Sequence, residues 1–219
     1  MKNTLEVDSI LLSFKNKRIL QDIYLKTETG KITGLLGRNG SGKSCLMKII
    51  YGELALENKS IRINGQSFRS NYRSPKQMNY LPQFQFSPNS ILVKRLFKDF
   101  EIDFSTFIQL FPSFEKFYTT PLKNLSGGER RIVEIYAILM TKSDFCMLDE
   151  PFSQVMPLHI EGIKRLILQQ KECKGIIITD HLYEHIIDIC DSLYVLKDGK
   201  THLVKQIQDI EDLGYARLS

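Results

Sequence analysis

The chain has 219 residues, 42% hydrophobic and 25% charged, with a formal net charge of +5. That is enough chain for one large or two small domains with a substantial core, and no apolar run approaches the roughly 20 residues needed to cross a bilayer. The start, Met1 to Glu6, carries no apolar signal-type run, so a cytosolic protein is expected, and four scattered cysteines without a C-x-x-C argue against a zinc site or a disulfide framework.

In chain order, residues 4 to 14 alternate loosely and read as one strand, closed by a turn at Lys15-Asn16-Lys17, and residues 19 to 26 read as a second. Phe14 then sits on the rim of a hairpin, where an aromatic either stacks on a flat base or simply packs. The apolar run Ile32 to Leu36 leads into Gly37-Arg38-Asn39-Gly40-Ser41-Gly42-Lys43-Ser44 and an amphipathic run to Tyr51, fitting the phosphate-cradle pattern G-x-x-x-x-G-K-[ST]. Glycines let backbone N–H groups approach an anion, and the helix that follows adds its free amides and the positive end of its dipole. Lys43 can reach the β and γ oxygens of a bound nucleotide, and the Ser44 hydroxyl can ligate Mg²⁺.

Residues 61 to 66 look like a hairpin with an Asn64-Gly65 turn. A short strand, Met78 to Leu81, is stopped by Pro82, and the Gln83 amide at its end is able to ligate Mg²⁺ and orient a water. Between residues 84 and 118 lie nine of the thirteen phenylalanines. Phe97, Phe100, Phe104, Phe107, Phe111 and Phe114 recur at helical spacing, so a small helical subdomain at about residues 84–140, cored by these rings, is expected. Pro112 is read as ending one helix and Ser113 as capping the next.

Leu125-Ser126-Gly127-Gly128-Glu129 opens an amphipathic helix running to about Met140, with Ser126 as N-cap and bare amides at Gly127 and Gly128 forming a second anion site. Phe145 to Asp149 is an apolar strand ending in Asp149-Glu150. Ligands of open α/β sheets lie beyond such carboxyl ends, which suits Asp149 to Mg²⁺ and Glu150 to polarising a water. A helix over 157–170, a buried strand over 175–178 and His181 at its edge follow, an imidazole able to hold a γ-phosphate and the water. A helix over 182–190, a strand over 193–196, an Asp198-Gly199 turn into a strand over 200–204, and a tail helix over 206–213 continuing to 219 complete the chain.

The ordered set Phe14, GRNGSGKS at 37–44, Gln83, LSGGE at 125–129, FCMLDE at 145–150 and His181 resembles the nucleotide-binding domain of the ATP-binding cassette (ABC) family over nearly the whole chain. The resemblance implies an α/β P-loop NTPase fold with a RecA-like core, an antiparallel β subdomain and the inserted helical subdomain, as a single domain over 1–219. It implies an ATPase that takes ATP and Mg²⁺, with Phe14 on the adenine and Gly37, Asn39, Gly40, Ser41, Gly42, Lys43, Ser44 and Cys45 around the phosphates. Ser44, Gln83 and Asp149 would hold the metal, Glu150 would act as general base, and His181 would sense the γ-phosphate. Ser126, Gly127 and Gly128 would serve the nucleotide of a second nucleotide-binding subunit, another copy of the same chain, in a head-to-tail homodimer, and the Gln83 loop with the helical subdomain would dock an integral membrane transporter subunit. That places the chain in the cytoplasm, peripheral on the inner face of the cell membrane, with no nucleic-acid partner. Within the family, LSGGERRIVEI, DEPF and ITDH are most similar to the lipopolysaccharide-export ATPases, followed by those of branched-chain amino-acid uptake.

Met156 stands where the family usually has the aspartate of the D-loop, which implies slow hydrolysis. Two other readings stay open at this point: a soluble ABC ATPase acting on DNA or the ribosome, and a nucleotide-gated module with weak hydrolysis. Cys45, at a helix N-terminus where thiol pKa tends to fall, reads either as a reactive thiol whose alkylation blocks ATP or as a helix-packing residue.

Overall fold

In the computed structural model of the chain the described residues are 2–15, 17–67 and 74–216; Asn16 of the first expected turn and residues 217–219 of the tail lie outside them. The centre is a sheet in the order β12-β11-β5-β10-β9-β8. It is built from β5 (Ile32–Leu36), β8 (Met78–Leu81), β9 (Phe145–Asp149), β10 (Gly175–Thr179), β11 (Ser192–Lys197) and β12 (Lys200–Val204). All neighbours pair in parallel except β12, which returns antiparallel through the left-handed turn residues Asp198 and Gly199. Strands β5, β9 and β10 are buried at every position, as expected of parallel strands covered on both faces, and so they read as unbroken apolar runs.

Alternate side chains of those strands feed two cores. Phe145, Met147 and Ile177 join Leu46, Met47, Ile49 and Ile50 of α1 (Lys43–Tyr51) together with Leu5 and Val7 of β1 (Thr4–Asp8). Cys146, Leu148, Ile176 and Ile178 face the other way, onto α4 (Gly127–Met140) and α5 (Pro157–Lys171). The helix after the phosphate loop is thereby held between the parallel sheet and a second, antiparallel sheet of order β4-β1-β6-β7, with β4 at Tyr24–Glu28, β6 at Ser60–Ile63 and β7 at Gln66–Ser67. The β6–β7 turn carries positive φ at both Asn64 and Gly65, the geometry an Asn-Gly pair favours.

The first two expected strands are each broken in two. Ser9 takes a φ of 54°, and the segment divides into β1 and β2 (Leu12–Phe14); the next divides into β3 (Lys17–Leu20) and β4. The reason is a change of partner: β1 pairs with β4 in the antiparallel sheet, whereas β2 and β3 pair with each other in a separate two-stranded sheet. The switch shifts the phase of the alternation: Leu5 and Val7 are buried before Ser9, Ile10 and Leu12 after it, so even positions replace odd ones.

The phenylalanine-rich region folds as α2 (Val93–Asp99), α3 (Phe104–Leu110) and two short 3₁₀ segments, Pro112–Phe117 and Leu122–Asn124. Phe107 is fully buried against the rings of Phe97, Phe104, Phe111, Phe114 and Tyr136, with centroids 4.8 to 5.8 Å away. Ser113 does not cap the second segment: Phe111 occupies the N-cap position and Pro112 the first helical position, where a missing N–H costs nothing. The helix expected over 182–190 contracts to α6 (Tyr183–Ile187), and the tail helix to α7 (Gln208–Asp212). Among the described residues no helix is long and apolar enough to cross a membrane.

Candidate functional site

The phosphate-cradle residues connect β5, which lies between β10 and β11, to α1. This is the place where neighbouring strand connections run to opposite sides and a crevice opens. Gly42 is the N-cap of α1 with a φ of 104°, and a Cβ there would meet the Ile19 and Leu20 side chains at 3.0 and 3.1 Å, so backbone strain and space both select glycine. Lys43 is 5% exposed, and its ammonium donates to the Gly37 carbonyl at 2.6 Å. Burial pushes its pKa down, against the opposing pull of the Glu150, Asp149 and Asp180 carboxylates. The buried Ser41 Oγ has no hydrogen-bond partner among the described residues.

A cleft of about 390 Å³ is lined by Phe14, Asn39 to Cys45, Gln83 and Glu150, so elements far apart in sequence meet around the loop. Phe14 is half exposed at the end of β2. Gln83 Nε2 donates to Glu150 Oε2 at 2.9 Å, and Ser153 Oγ donates to the same oxygen at 3.3 Å. His181 Nδ1 lies 3.8 Å from Glu150 Oε2, 3.3 Å from Asp180 Oδ1 and 3.4 Å from Ser153 Oγ. Asp180 is fully buried and accepts from the Phe152 and Leu182 amides at 2.9 and 3.0 Å; burial raises its pKa. Gln83, Glu150, Ser153 and His181 also line an adjoining cleft, together with Gly127.

Asp149 is fully buried, and each carboxylate oxygen accepts from a neighbouring strand: Thr179 Oγ1 of β10 donates to Oδ1 at 2.7 Å, and the Tyr80 hydroxyl of β8 donates to Oδ2 at 3.1 Å. Burial and the adjacent Asp149 charge drive the Tyr80 phenol well above its usual pKa, so it stays a donor. Of the two readings of Cys45, packing is the one favoured: the half-buried residue lines the cleft and packs against the core beneath α1, and its thiol is pushed up, chiefly by burial, where an activated thiol would be lowered.

Ser126, Gly127 and Gly128 do not line the phosphate-loop cleft. They open α4 through a reciprocal capping box, with Ser126 Oγ accepting from the Glu129 amide at 3.3 Å and the Glu129 carboxylate accepting from the Ser126 amide at 2.8 Å. A Cβ on Gly128 would fall 2.4 Å from the Gln154 carbonyl oxygen, so close packing of the loop after β9 already demands glycine there. Met156 is 57% exposed and occupies the N-cap of α5 without a side-chain cap.

Sequence reasoning missed Tyr80, Thr179, Arg131 and Tyr215. Tyr215, in a tail read as lacking catalytic content, lies beside the Gly37 backbone and lines a 490 Å³ cleft with Arg38 to Ser41. Tyr80 offered a signal, since it precedes Gln83 by three residues on a fully buried strand, where a buried phenol needs a partner. The other three become relevant only through contacts across the fold.

The profile of the ABC transporter family matches residues 20–153, more than half of the chain. Among curated proteins the chain is 29% identical over 212 residues to the lipopolysaccharide export system ATP-binding protein LptB of Haemophilus influenzae, covering 90% of this chain and 88% of that protein. It is 29% identical over 217 residues to LptB of Escherichia coli K12, covering 92% and 89%. Among solved structures it is similar to the ATP-binding subunit of an ABC transporter, with a TM-score of 0.79 at 22% identity over 96% of this chain and 93% of that one. It is also similar to a nucleotide-free ATP-binding cassette from an ABC transporter, with a TM-score of 0.77 at 21% identity over 96% and 94%. A family profile that spans from before the phosphate loop to beyond Asp149-Glu150, joined to the fold of an ATP-binding cassette, means that the chain belongs to the ABC transporter family and is an ATP-binding ATPase subunit of it.

Proposed function

We propose that this subunit energises an ABC transporter of the lipopolysaccharide-export type by closing as a dimer on two molecules of ATP and reopening after hydrolysis. The observation that carries the reading is the division of its anion-binding elements. Phe14, the phosphate loop, Gln83 and Glu150 share one cleft that Ser126 to Gly128 do not line, Gly127 facing the adjoining one instead. A second glycine-capped helix start outside a chain's own cleft is accounted for if it serves the nucleotide of a second copy, in the two-fold arrangement commonest among oligomers. Differential affinity for nucleotide in open and closed states then performs the work.

The residues fit the nucleotide and its metal. The unpartnered Ser41 Oγ and the left-handed Gly42 form a cradle for phosphate oxygens, and the Ser44 hydroxyl, Gln83 amide and Asp149 carboxylate are hard oxygen donors suited to Mg²⁺. Bound Mg²⁺ would neutralise charge on the β- and γ-phosphates. Phe14 stacks on adenine, Lys43 exchanges its Gly37 carbonyl for phosphate oxygens, and Glu150 aligns and deprotonates the attacking water. Gln83 holds the Glu150 carboxylate, and His181, oriented by Asp180, contacts the γ-phosphate. The helical subdomain at about 84–140 and the Gln83 loop form the docking face for an integral membrane subunit; the exposed Phe84 and Phe86 beside Gln83 support this. The chain thus works in the cytoplasm at the inner face of the membrane, without nucleic acid.

The test is the mass of Glu150→Gln in solution with ATP and Mg²⁺. A dimer that reverts to monomer on nucleotide removal is expected; a protein that stays monomeric at saturating ATP would defeat the two-sided reading.

Met156 in place of the D-loop aspartate favours slow turnover as a second feature of the same subunit; it stands exposed at the α5 N-cap. Met156→Asp is expected to raise turnover. It should also stabilise the fold by about 1 kcal/mol, because an aspartate caps the helix amides that methionine leaves free. Urea unfolding and steady-state phosphate release measure the two effects separately, and unchanged turnover in a stabilised variant would remove the D-loop interpretation.

A further inference from the structure

We propose that Arg131 is a positioning residue that locks the backbone of Glu150 and Gln83 to α4, so that displacement of the glycine-capped helix start is transmitted to the hydrolytic side chains. The inference rests on the reading of Glu150 as the base and adds to it a physical link from the opposite side of the dimer contact.

Arg131 lies in the first turns of α4 and is 5% exposed. Among the described residues its hydrogen bonds all go to backbone carbonyls, and its buried Nε has no partner. Nη1 donates to Pro82 at 2.7 Å, and Nη2 donates to Asp149 at 2.6 Å and Glu150 at 3.2 Å. The charge is offset at longer range by Glu134, Asp149, Asp180 and Glu150. One planar fork therefore ties the residue before Gln83 to the peptide units on both sides of the Glu150 Cα.

That peptide needs holding. Glu150 has a φ of 52°, a left-handed conformation that a non-glycine residue keeps only when its surroundings impose it. Its amide is held by β10, donating to the Thr179 carbonyl at 2.8 Å, and its carbonyl side is held by Arg131. Gln83 and Glu150 then meet at 2.9 Å as a consequence of both backbones being pinned to the same guanidinium. Arg130, the preceding residue, faces the far end of the same loop, donating from Nη1 to Asn89 Oδ1 at 2.6 Å and from Nη2 to the Ser87 carbonyl. The Gln83 loop is thus gripped at both ends by consecutive residues of α4.

Arg131→Lys keeps the charge and the apolar stem but loses the fork. Its turnover is expected to fall by about 10- to 100-fold, the effect of misplacing a catalytic group by a fraction of an ångström to an ångström. Affinity for a fluorescent ATP analogue should stay within about twofold, because no phosphate-loop contact is altered. Arg131→Gln should fall further at similar affinity, and it decides the matter if the lysine variant does not fold. Wild-type turnover in either folded variant, or a loss of affinity equal to the loss of turnover, would overturn the proposal.

In a Glu150→Gln background, Arg131→Lys should produce no further loss, the non-additivity expected of residues acting as a unit. An undiminished Arg131 effect there would sink the positioning role alone, whereas wild-type turnover in Glu150→Gln itself would sink the catalytic reading on which it rests.

Discussion

Glu150→Gln is expected to lower ATP turnover by about 10²- to 10⁴-fold, the usual contribution of a general base, while leaving nucleotide affinity close to that of the parent. The amide is nearly isosteric, so its oxygen still accepts from Gln83 Nε2 and Ser153 Oγ, the contacts that orient the native carboxylate at 2.9 and 3.3 Å. The left-handed backbone at residue 150 and the Arg131 clamp on its carbonyl do not depend on the side chain. What is lost is the negative charge that draws a proton from water. Single-turnover phosphate release at saturating MgATP reads the chemical step directly. A loss of less than about threefold, far below what a base contributes, would show that another group activates the water.

Phe107→Ala is expected to destabilise the fold by about 3–5 kcal/mol, the range for removing a large aromatic from a core. Phe107 is fully buried and packs against Phe97, Phe104, Phe111, Phe114 and Tyr136, the last of these on α4. Truncation would remove the shared centre of rings that belong to separate short helices, none long enough to persist without packing. Phe84→Ala provides the contrast: Phe84 is 78% exposed, and its loss should change stability by no more than about 0.5 kcal/mol. Urea unfolding of both variants makes the comparison, and a small effect at Phe107 would mean that the aromatic stripe does not form the core of this region.

The aromatic core was readable from the recurrence of Phe97, Phe107, Phe111 and Phe114, but these rings come from α2, α3 and the 3₁₀ segment rather than from one helix face, so the spacing found the core and not the helix boundaries. Strands β5, β9 and β10 were readable because burial on both faces leaves continuous apolar runs. The strand exchange at Ser9 and between Leu20 and Tyr24 left only a slip in the phase of alternation, Leu5 and Val7 giving way to Ile10 and Leu12, and which partner each half takes is decided by the sheets. Between the two readings of Cys45 the sequence alone did not choose: the local rule about helix N-termini lowers the pKa of an exposed thiol, and partial burial by distant residues raises it here.

The sequence by itself determined the strand, glycine loop and helix around Lys43, the Ser126-capped start of α4, and the acids that end β9. Each of these depends on residues within a few positions of one another, so the necessary physics is local. Tertiary structure decided that Asp149 is held by Tyr80 and Thr179, that Gly128 must be small to admit the Gln154 carbonyl, and that Arg131 joins the Gln83 loop to Glu150. Those contacts span up to 69 residues of chain. They exist only because parallel strands distant in sequence lie side by side, and that adjacency is a property of the assembled sheet.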